Sequence, residues 1–299
     1  MMPLRLTRAS SQKAMAPAPE PAGRVRVAVL IPVHNDWSRL ARTLTALAFD
    51  GGSFDVVVVD DGSTPPLEIP PDLPFRVELL RLERNLGITG ALNAGLAHIV
   101  RAGHYVYVAR LDAGDVSRPG RIAAQVAFLD AHRDHAVVGC ATAWVDLDRR
   151  LLFEFRPPTT DGELRRFQRY RVGLVHPAVM LRVTALGELG FYDERFSGAE
   201  EYELFLRLAR RYKLANLPEV YVEVELSPWS LSARRFQHGV VRLRVQAHYF
   251  EPHSAHAWLG FARSILLLFA TRGLVIKVKG WLAFLSRRNP GQSAGLNQF

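Results

Sequence analysis

Val56-Val57-Val58-Val59-Asp60-Asp61-Gly62-Ser63 is a β-branched apolar run that stops on two carboxylates. A strand buried on both faces of a parallel sheet reads as such a run, and in open α/β sheets ligands gather outside the carboxyl ends of the strands. Further along, Tyr105-Val106-Tyr107-Val108-Ala109-Arg110-Leu111-Asp112-Ala113-Gly114-Asp115 repeats the plan. We expect the two strand ends to be neighbours and to present their acids to one crevice. Acids there suit a ligand that arrives with a cation, such as a nucleoside diphosphate with a divalent metal, because hard oxygen ligands hold hard ions. Asp-Gly-Ser is good turn chemistry by itself, so the first segment alone leaves a plain turn open. Two acid-ended strands together favour the ligand.

Outward from these segments, strand and helix alternate. The patterns predict strands at Val25–Pro32, Asp55–Asp60, Val77–Arg81 and Tyr105–Leu111, with helices at Ser38–Phe49, Gly87–Arg101 and Arg118–His132. Alternation of this kind implies a mostly parallel sheet with right-handed crossovers. The second half is mixed: strands at Val137–Val145, Leu151–Phe155, Ala178–Arg182 and Tyr221–Leu226, and helices at Asp161–Tyr170, Glu200–Tyr212 and Ser232–Tyr249. The expected fold class is α/β, a Rossmann-like, mostly parallel mixed sheet flanked by helices, with a C-terminal amphipathic helical extension.

The chain of 299 residues is 48% hydrophobic, enough for a sizeable core. A single cysteine, Cys140, cannot form an internal disulfide, and no zinc-type spacing accompanies it, so a reducing, cytoplasmic compartment is expected. Residues 1–23 mix basic residues with an Ala/Pro stretch, lack the apolar core of a secretion signal, and read as a disordered lead-in. The formal charge is +9, and after Glu251 there is no acid while Arg263, Arg272, Lys277, Lys279, Arg287 and Arg288 follow. Residues 257–272 and 274–288 are apolar but interrupted by these bases, too broken for a membrane span. We read them as helices lying on an anionic membrane surface, anchored by Trp258 and Trp281, on the inner face of the cell membrane. A core-packed helix pair with a solvated basic face is the competing reading. Nucleic-acid binding lacks the aromatic and basic interleaving it would need.

Candidate chemistry sits at element ends. Pro32-Val33-His34-Asn35-Asp36 closes the first strand, and Asp36 with Ser38 is placed to cap the next helix, whose free N–H groups suit a base or phosphate. Arg84-Asn85-Leu86-Gly87 opens the helix that carries Gly90 and Asn93, and its glycines allow close backbone approach to a ligand. Neither segment is a Walker loop or a dinucleotide fingerprint. Asp112 and Asp115 are spaced to share one cation, although Asp115 also suits a cap for the helix near Arg118. Glu200 and Glu201 start a helix, where the dipole favours acids. Leu204, Phe205 and Leu208 define its core side, and Glu201 shares that side one turn earlier, as a general base at a cleft rim should. His176 in Val175-His176-Pro177 is a further polar group at a strand entry, a position where a lone histidine is more often structural.

In order, strand-Asp60-Asp61-Gly62-Ser63, Arg84-Asn85-x-Gly87, Arg110-Leu111-Asp112-Ala113-Gly114-Asp115, His176-Pro177, Gly190-x-Tyr192-Asp193-Glu194-x-Phe196 and Glu200-Glu201-Tyr202-x-Leu204 resemble the inverting family 2 glycosyltransferases of the GT-A fold, over residues 24–249. The resemblance implies that 24–120 binds a nucleotide-sugar donor, that 121–250 completes the same domain with acceptor-binding and catalytic residues, and that 251–299 contacts the membrane. It implies donor contacts from Pro32, Val33, His34, Asn35, Asp60, Asp61, Asn85, Gly87, Asn93, Arg110 and Asp112. It also implies Mg2+ or Mn2+ held by Asp112 and Asp115, acceptor contacts from His176 and Glu200, and Glu201 as the base. The expected activity is transfer of a sugar from a UDP- or dTDP-sugar to a hydroxyl of a polysaccharide, glycolipid or lipid-linked acceptor. Three departures stand out: Gly114 where the family's Asp-x-Asp places its second carboxylate, Glu201 where it usually has aspartate, and Glu225-Leu226-Ser227-Pro228 where relatives often carry Arg-x-His-Pro. They keep a second reading open, a catalytically weakened nucleotide-sugar-binding or scaffolding protein.

Overall fold

The valine run becomes the buried centre of one wing of the sheet. In a computed structural model describing residues 26–50, 53–70, 72–226 and 235–269, β2 (Asp55–Asp60) is buried along its whole length. It lies between β1 (Val27–Val33) and β3 (Val77–Arg81), parallel to both. Period-2 alternation divides the run, sending Val57 and Val59 to one core cluster and Val56 and Val58 to the other. Helices α1 (Trp37–Leu47) and α2 (Gly87–Ala102) cover these faces, α1 burying Leu40, Leu44 and Leu47 and α2 burying Leu92, Leu96 and Ile99.

On the other side of β1 lies β4 (Tyr107–Arg110), again parallel, so β2 and β4 are not neighbours as expected. The chain winds outward from β1 through β2 to β3 and then returns to pair β4 with the opposite edge of β1. That reversal of strand order opens a crevice at the strands' carboxyl ends. His34 and Asn35 therefore stand between the two acidic strand ends.

Beyond β4 the sheet continues through β8 (Met180–Arg182), antiparallel to both β4 and β6 (His135–Val145), then β9 (Lys213–Glu225) and β5 (Val116–Ser117), with β7 (Leu151–Phe155) paired to β6. Helices α3 (Arg121–Ala131), α4 (Asp161–Gln168), α5 (Val183–Leu189) and α6 (Glu200–Ala209) connect these strands, and α7 (Arg235–His248) and α8 (Ala255–Phe269) follow. One sheet thus runs through both of the segments expected as halves of a domain. Strand β9 begins at Lys213, well before the expected Tyr221, and α6 stops at Ala209 accordingly. The short β5 and α5 carry too few residues to show a period. Cys140 is fully buried in β6. No described helix is long and apolar enough to cross a membrane. The lead-in at 1–23, Ser227, Pro228, Trp281 and the expected helix at 274–288 lie outside the described residues.

Candidate active site

At the end of β1, Asn35 takes a positive φ of 53° and is held from both sides. Its N–H donates to Ser63 Oγ at 2.9 Å and its Oδ1 accepts from Thr64 N–H at 2.8 Å. His34 Nδ1 donates to the Asp61 carbonyl at 2.8 Å, which leaves Nε2 to accept from the Asn35 amide at 3.0 Å. Both side chains are exposed to the crevice, whereas Pro32 and Val33 are buried and can offer a ligand only backbone. Asp36 caps α1 by accepting from Arg39 N–H.

The two aspartates ending β2 divide their roles. Asp60 is fully buried, one oxygen accepting from Ser63 N–H at 2.9 Å and the other from Leu67 N–H, so it shapes the turn. Asp61 is 4% exposed and accepts from Leu86 N–H at 2.7 Å, fastening the Arg84–Gly87 loop to the sheet. Gly62 makes this fit possible. At φ 70°, a Cβ there would lie 2.6 Å from the Arg84 carbonyl carbon. In the loop, Asn85 accepts from Gly87 N–H at 2.8 Å and both residues face solvent. Asn93 is not free for a nucleotide: it donates to the Tyr192 carbonyl and accepts from Tyr192 N–H, both at 3.0 Å. It is a clamp between α2 and the segment before α6.

At the end of β4, Arg110 is 2% exposed and directs its guanidinium at the Leu111 carbonyl and at Asp112 Oδ1, the latter at 2.5 Å. It positions Asp112 and does not itself reach the crevice. The Asp112 side chain is 41% exposed. Burial pushes its carboxyl up, but Arg110 and His176 oppose this and hold it below the usual carboxylate range. Asp115 departs from both sequence readings. It is 3% exposed, accepts from Glu225 N–H at 2.9 Å, and leaves Oδ2 without a partner. Burial, then the charge of Asp112, pushes its carboxyl well up. Buried and tied to β9, Asp115 does not cap α3, whose cap is Gly120. Beside Gly114, where a second carboxylate would stand, the space holds Arg39, whose Cδ is 3.2 Å from a built Cβ.

The third side of the site comes from α6 and the turn before it. Ligand atoms of His176, Glu200 and Glu201 lie within 4.8 Å of one another. Glu200 is 5% exposed and accepts from Gly198 N–H at 2.5 Å. Glu201 stands at the rim, its carboxyl pushed up to about 7 by burial and then by the charge of Glu200. His176 is pulled down to about 3 by burial and by Arg110, and is therefore neutral. Its Nε2 shares a 2.8 Å hydrogen bond with the Tyr192 hydroxyl. Tyr192, quoted only as part of a motif in the sequence, thus links the Asn93 clamp to His176. Thr89 and Ser197 join their hydroxyls at 2.9 Å and close the same seam, with no sequence signal to single them out. The Asp112 charge acts on both His176 and Glu201, so the end of β4 and the start of α6 share one cleft.

Among the described residues, a cation in this cleft would meet the aspartate Asp112, with one oxygen committed to Arg110 and the other available. Mg2+ and related ions on a diphosphate are commonly held by one or two carboxylates plus the phosphates themselves. The donor set therefore fits a metal carried chiefly by its substrate.

Comparisons with known proteins agree with this architecture. The family model for glycosyl transferase family 2 matches residues 28–189. An uncharacterized glycosyltransferase of Haemophilus influenzae is 30% identical over 61% of this chain and 66% of its own length. The amylovoran biosynthesis glycosyltransferase AmsE of Erwinia amylovora is 28% identical over 68% of this chain and 75% of its own. Among solved structures, Staphylococcus aureus TarS (residues 1–349) in complex with UDP-GlcNAc superposes with a TM-score of 0.57 at 16% identity, covering 90% of this chain and 73% of that one. The mannosyltransferase PcManGT of Pyrobaculum calidifontis, in complex with GDP-Man and Mn2+, gives 0.56 at 19% identity, covering 91% and 84%. With its reversed sheet, its acid-ended strands and its family match over more than half the chain, this protein belongs to the family 2 glycosyltransferases and has the GT-A fold.

Proposed function

We propose that the chain moves a sugar from a UDP- or dTDP-sugar to a hydroxyl of a polysaccharide, glycolipid or lipid-linked acceptor, inverting the anomeric carbon, with Glu201 as general base. The observation that carries this reading is the cluster of Glu201, Glu200 and His176, their ligand atoms within 4.8 Å of one another in the same cleft as Asp112, with burial and Glu200 raising the Glu201 carboxyl to about 7. A general base works best when its pKa lies near the working pH. Glu201 takes the proton of the acceptor hydroxyl as that oxygen attacks the anomeric carbon, and the bond to the diphosphate breaks with its electron pair leaving on phosphate. Neutral His176, held by Tyr192, and Glu200, held by Gly198 N–H, line the acceptor side. His34, Asn35 and the Asn85–Gly87 loop line the side proposed for the nucleotide. Asp112 would hold Mg2+ or Mn2+, which supplies charge neutralisation for the leaving diphosphate. PcManGT holds Mn2+ and GDP-Man, TarS holds UDP-GlcNAc, and AmsE is named for polysaccharide biosynthesis, all consistent with this class.

Turnover of a panel of nucleotide sugars, read as release of nucleoside diphosphate with saccharide and polyprenyl-linked acceptors, tests the reading. Release that requires acceptor and disappears in Glu201→Gln supports it; no release from any common donor overturns it. The filled space at Gly114 keeps a second reading in view, a binding protein with weakened catalysis. That reading predicts donor binding without turnover in the same panel.

A further inference from the structure

Helix α8 is amphipathic in the inverted sense. Its inward positions are small: Ala257, Gly260 and Ser264 are buried, and a Cβ on Gly260 would lie 2.3 Å from the Arg169 carbonyl oxygen. The helix backbone therefore rests directly on the segment after α4. Its outward positions are large and apolar: Trp258 is 58% exposed, Leu259 67%, Ile265 40% and Leu266 67%. With Ala262 they recur every three or four residues and form one stripe free of charge. The Trp258 indole N–H is already satisfied by the Pro252 carbonyl at 3.0 Å, so the ring can enter an apolar medium at no hydrogen-bond cost.

Arg263 of α8 itself is half-buried and next to Ala262 of the stripe. Arg171, Arg242 and Arg263 are close enough for their charges to act on one another, with burial the larger influence on Arg171 and Arg263. No acid follows Glu251 in the rest of the chain. An apolar stripe alone could meet another protein. Carrying Arg263 on the same helix and followed in sequence by an acid-free basic segment, it complements a surface whose edge is anionic phosphate and whose interior is hydrocarbon.

We propose that the outer face of α8 docks on an anionic lipid bilayer, with Trp258, Leu259, Ile265 and Leu266 below the headgroups and the neighbouring arginines on the lipid phosphates. The placement also orients the cleft. Leu268 sits 2.6 Å from a Cβ built on Gly239 of α7, and His238 of α7 sits 2.8 Å from one built on Gly198, at the turn before Glu200. The C-terminal end of α8 is thus joined through α7 to the side of the molecule that carries the proposed base. If the transferase reading holds, a bilayer under α8 brings lipid-borne acceptors to that side.

Flotation of the full chain with vesicles of phosphatidylcholine alone and of phosphatidylcholine with phosphatidylglycerol tests the docking. Wild type should float with the anionic vesicles. Leu259→Glu/Leu266→Glu should lose at least about tenfold in partitioning while keeping its circular dichroism and its nucleotide-sugar binding, since both side chains point away from the fold. Bromine-labelled lipids should quench tryptophan fluorescence in wild type, and less in Trp258→Phe. Equal flotation of the double variant would overturn the proposal and leave the basic tail as the binder. So would failure of wild type to float, or a dimer in light scattering that the double variant dissolves. Diphosphate release with a soluble acceptor is read separately, so docking can fail while the transferase reading stands.

Discussion

Glu201→Gln tests the chemistry and the electrostatics of the cleft together. Burial and the neighbouring Glu200 raise the Glu201 carboxyl from 4.5 to about 7. The folded state therefore keeps a proton that the unfolded chain loses at lower pH. Wild type has the full benefit below about pH 4.5 and loses it as pH rises through about 7, at 1.36 kcal/mol per unit, so the carboxylate costs the fold about 3 kcal/mol in alkaline solution. Because part of the Glu201 shift comes from the neighbouring Glu200 charge, the measured gain should fall on the order of 1 to 3 kcal/mol. Glutamine keeps the shape and removes the titration. Urea unfolding should find the variant more stable than wild type at pH 8.5 and equal to it near pH 4.5, a difference that isolates this site because all other groups are common to both. Loss of the base should lower kcat by about 10²–10⁴, and the rise of wild-type log(kcat/KM) with unit slope below pH 7 should vanish. A stability difference independent of pH, or a variant with wild-type turnover and the same pH profile, would refute the reasoning.

Asp112→Asn should cost at least about tenfold in metal-dependent donor affinity by calorimetry, whereas Asp115→Asn should change it less than about twofold, because Asp115 is buried and already committed to Glu225 N–H. Equal losses in both would restore Asp115 as a metal ligand. Tyr192→Phe deletes the hydrogen bond to His176 and should lower kcat/KM by about three- to tenfold, the worth of one hydrogen bond, with melting little changed. Unchanged kinetics would make Tyr192 a packing residue only. Gly62→Ala places a Cβ 2.6 Å from the Arg84 backbone at φ 70° and should destabilise by about 2 kcal/mol or more in urea titration.

The parts of this fold that were legible are those where one residue type has one physical use. A valine run ending in aspartates has no comfortable place except a central parallel strand, and β2 and β3 match their expected limits. Neighbour relations were not legible, because a strand's own pattern is silent about which strand it pairs with. The reversal that puts β1 between β2 and β4 is decided by crossovers and packing. Short elements such as β5 escaped for want of a period.

In the site, sequence identified acids but not their direction. Asp60, Asp61, Asp112 and Asp115 are the same side chain at similar strand ends, yet one is sealed in a turn, one fastens a loop, one lines the cleft and one is buried against β9. What separates them is partner supply: backbone N–H groups from the Gly62 turn, the Leu86 loop and β9 capture three of them. Only Asp112 meets a guanidinium that charges it without covering it. Glu201 is shifted in the opposite direction. It shares a partly buried corner with another carboxylate and a neutral histidine, and burial with the Glu200 charge outweighs the opposing charge of Arg242, raising its carboxyl to about 7. Asp112 and Glu201 are thus set apart in acidity by their surroundings, one lowered and one raised, which is the division the proposed inverting transfer needs of a metal-binding acid and a base.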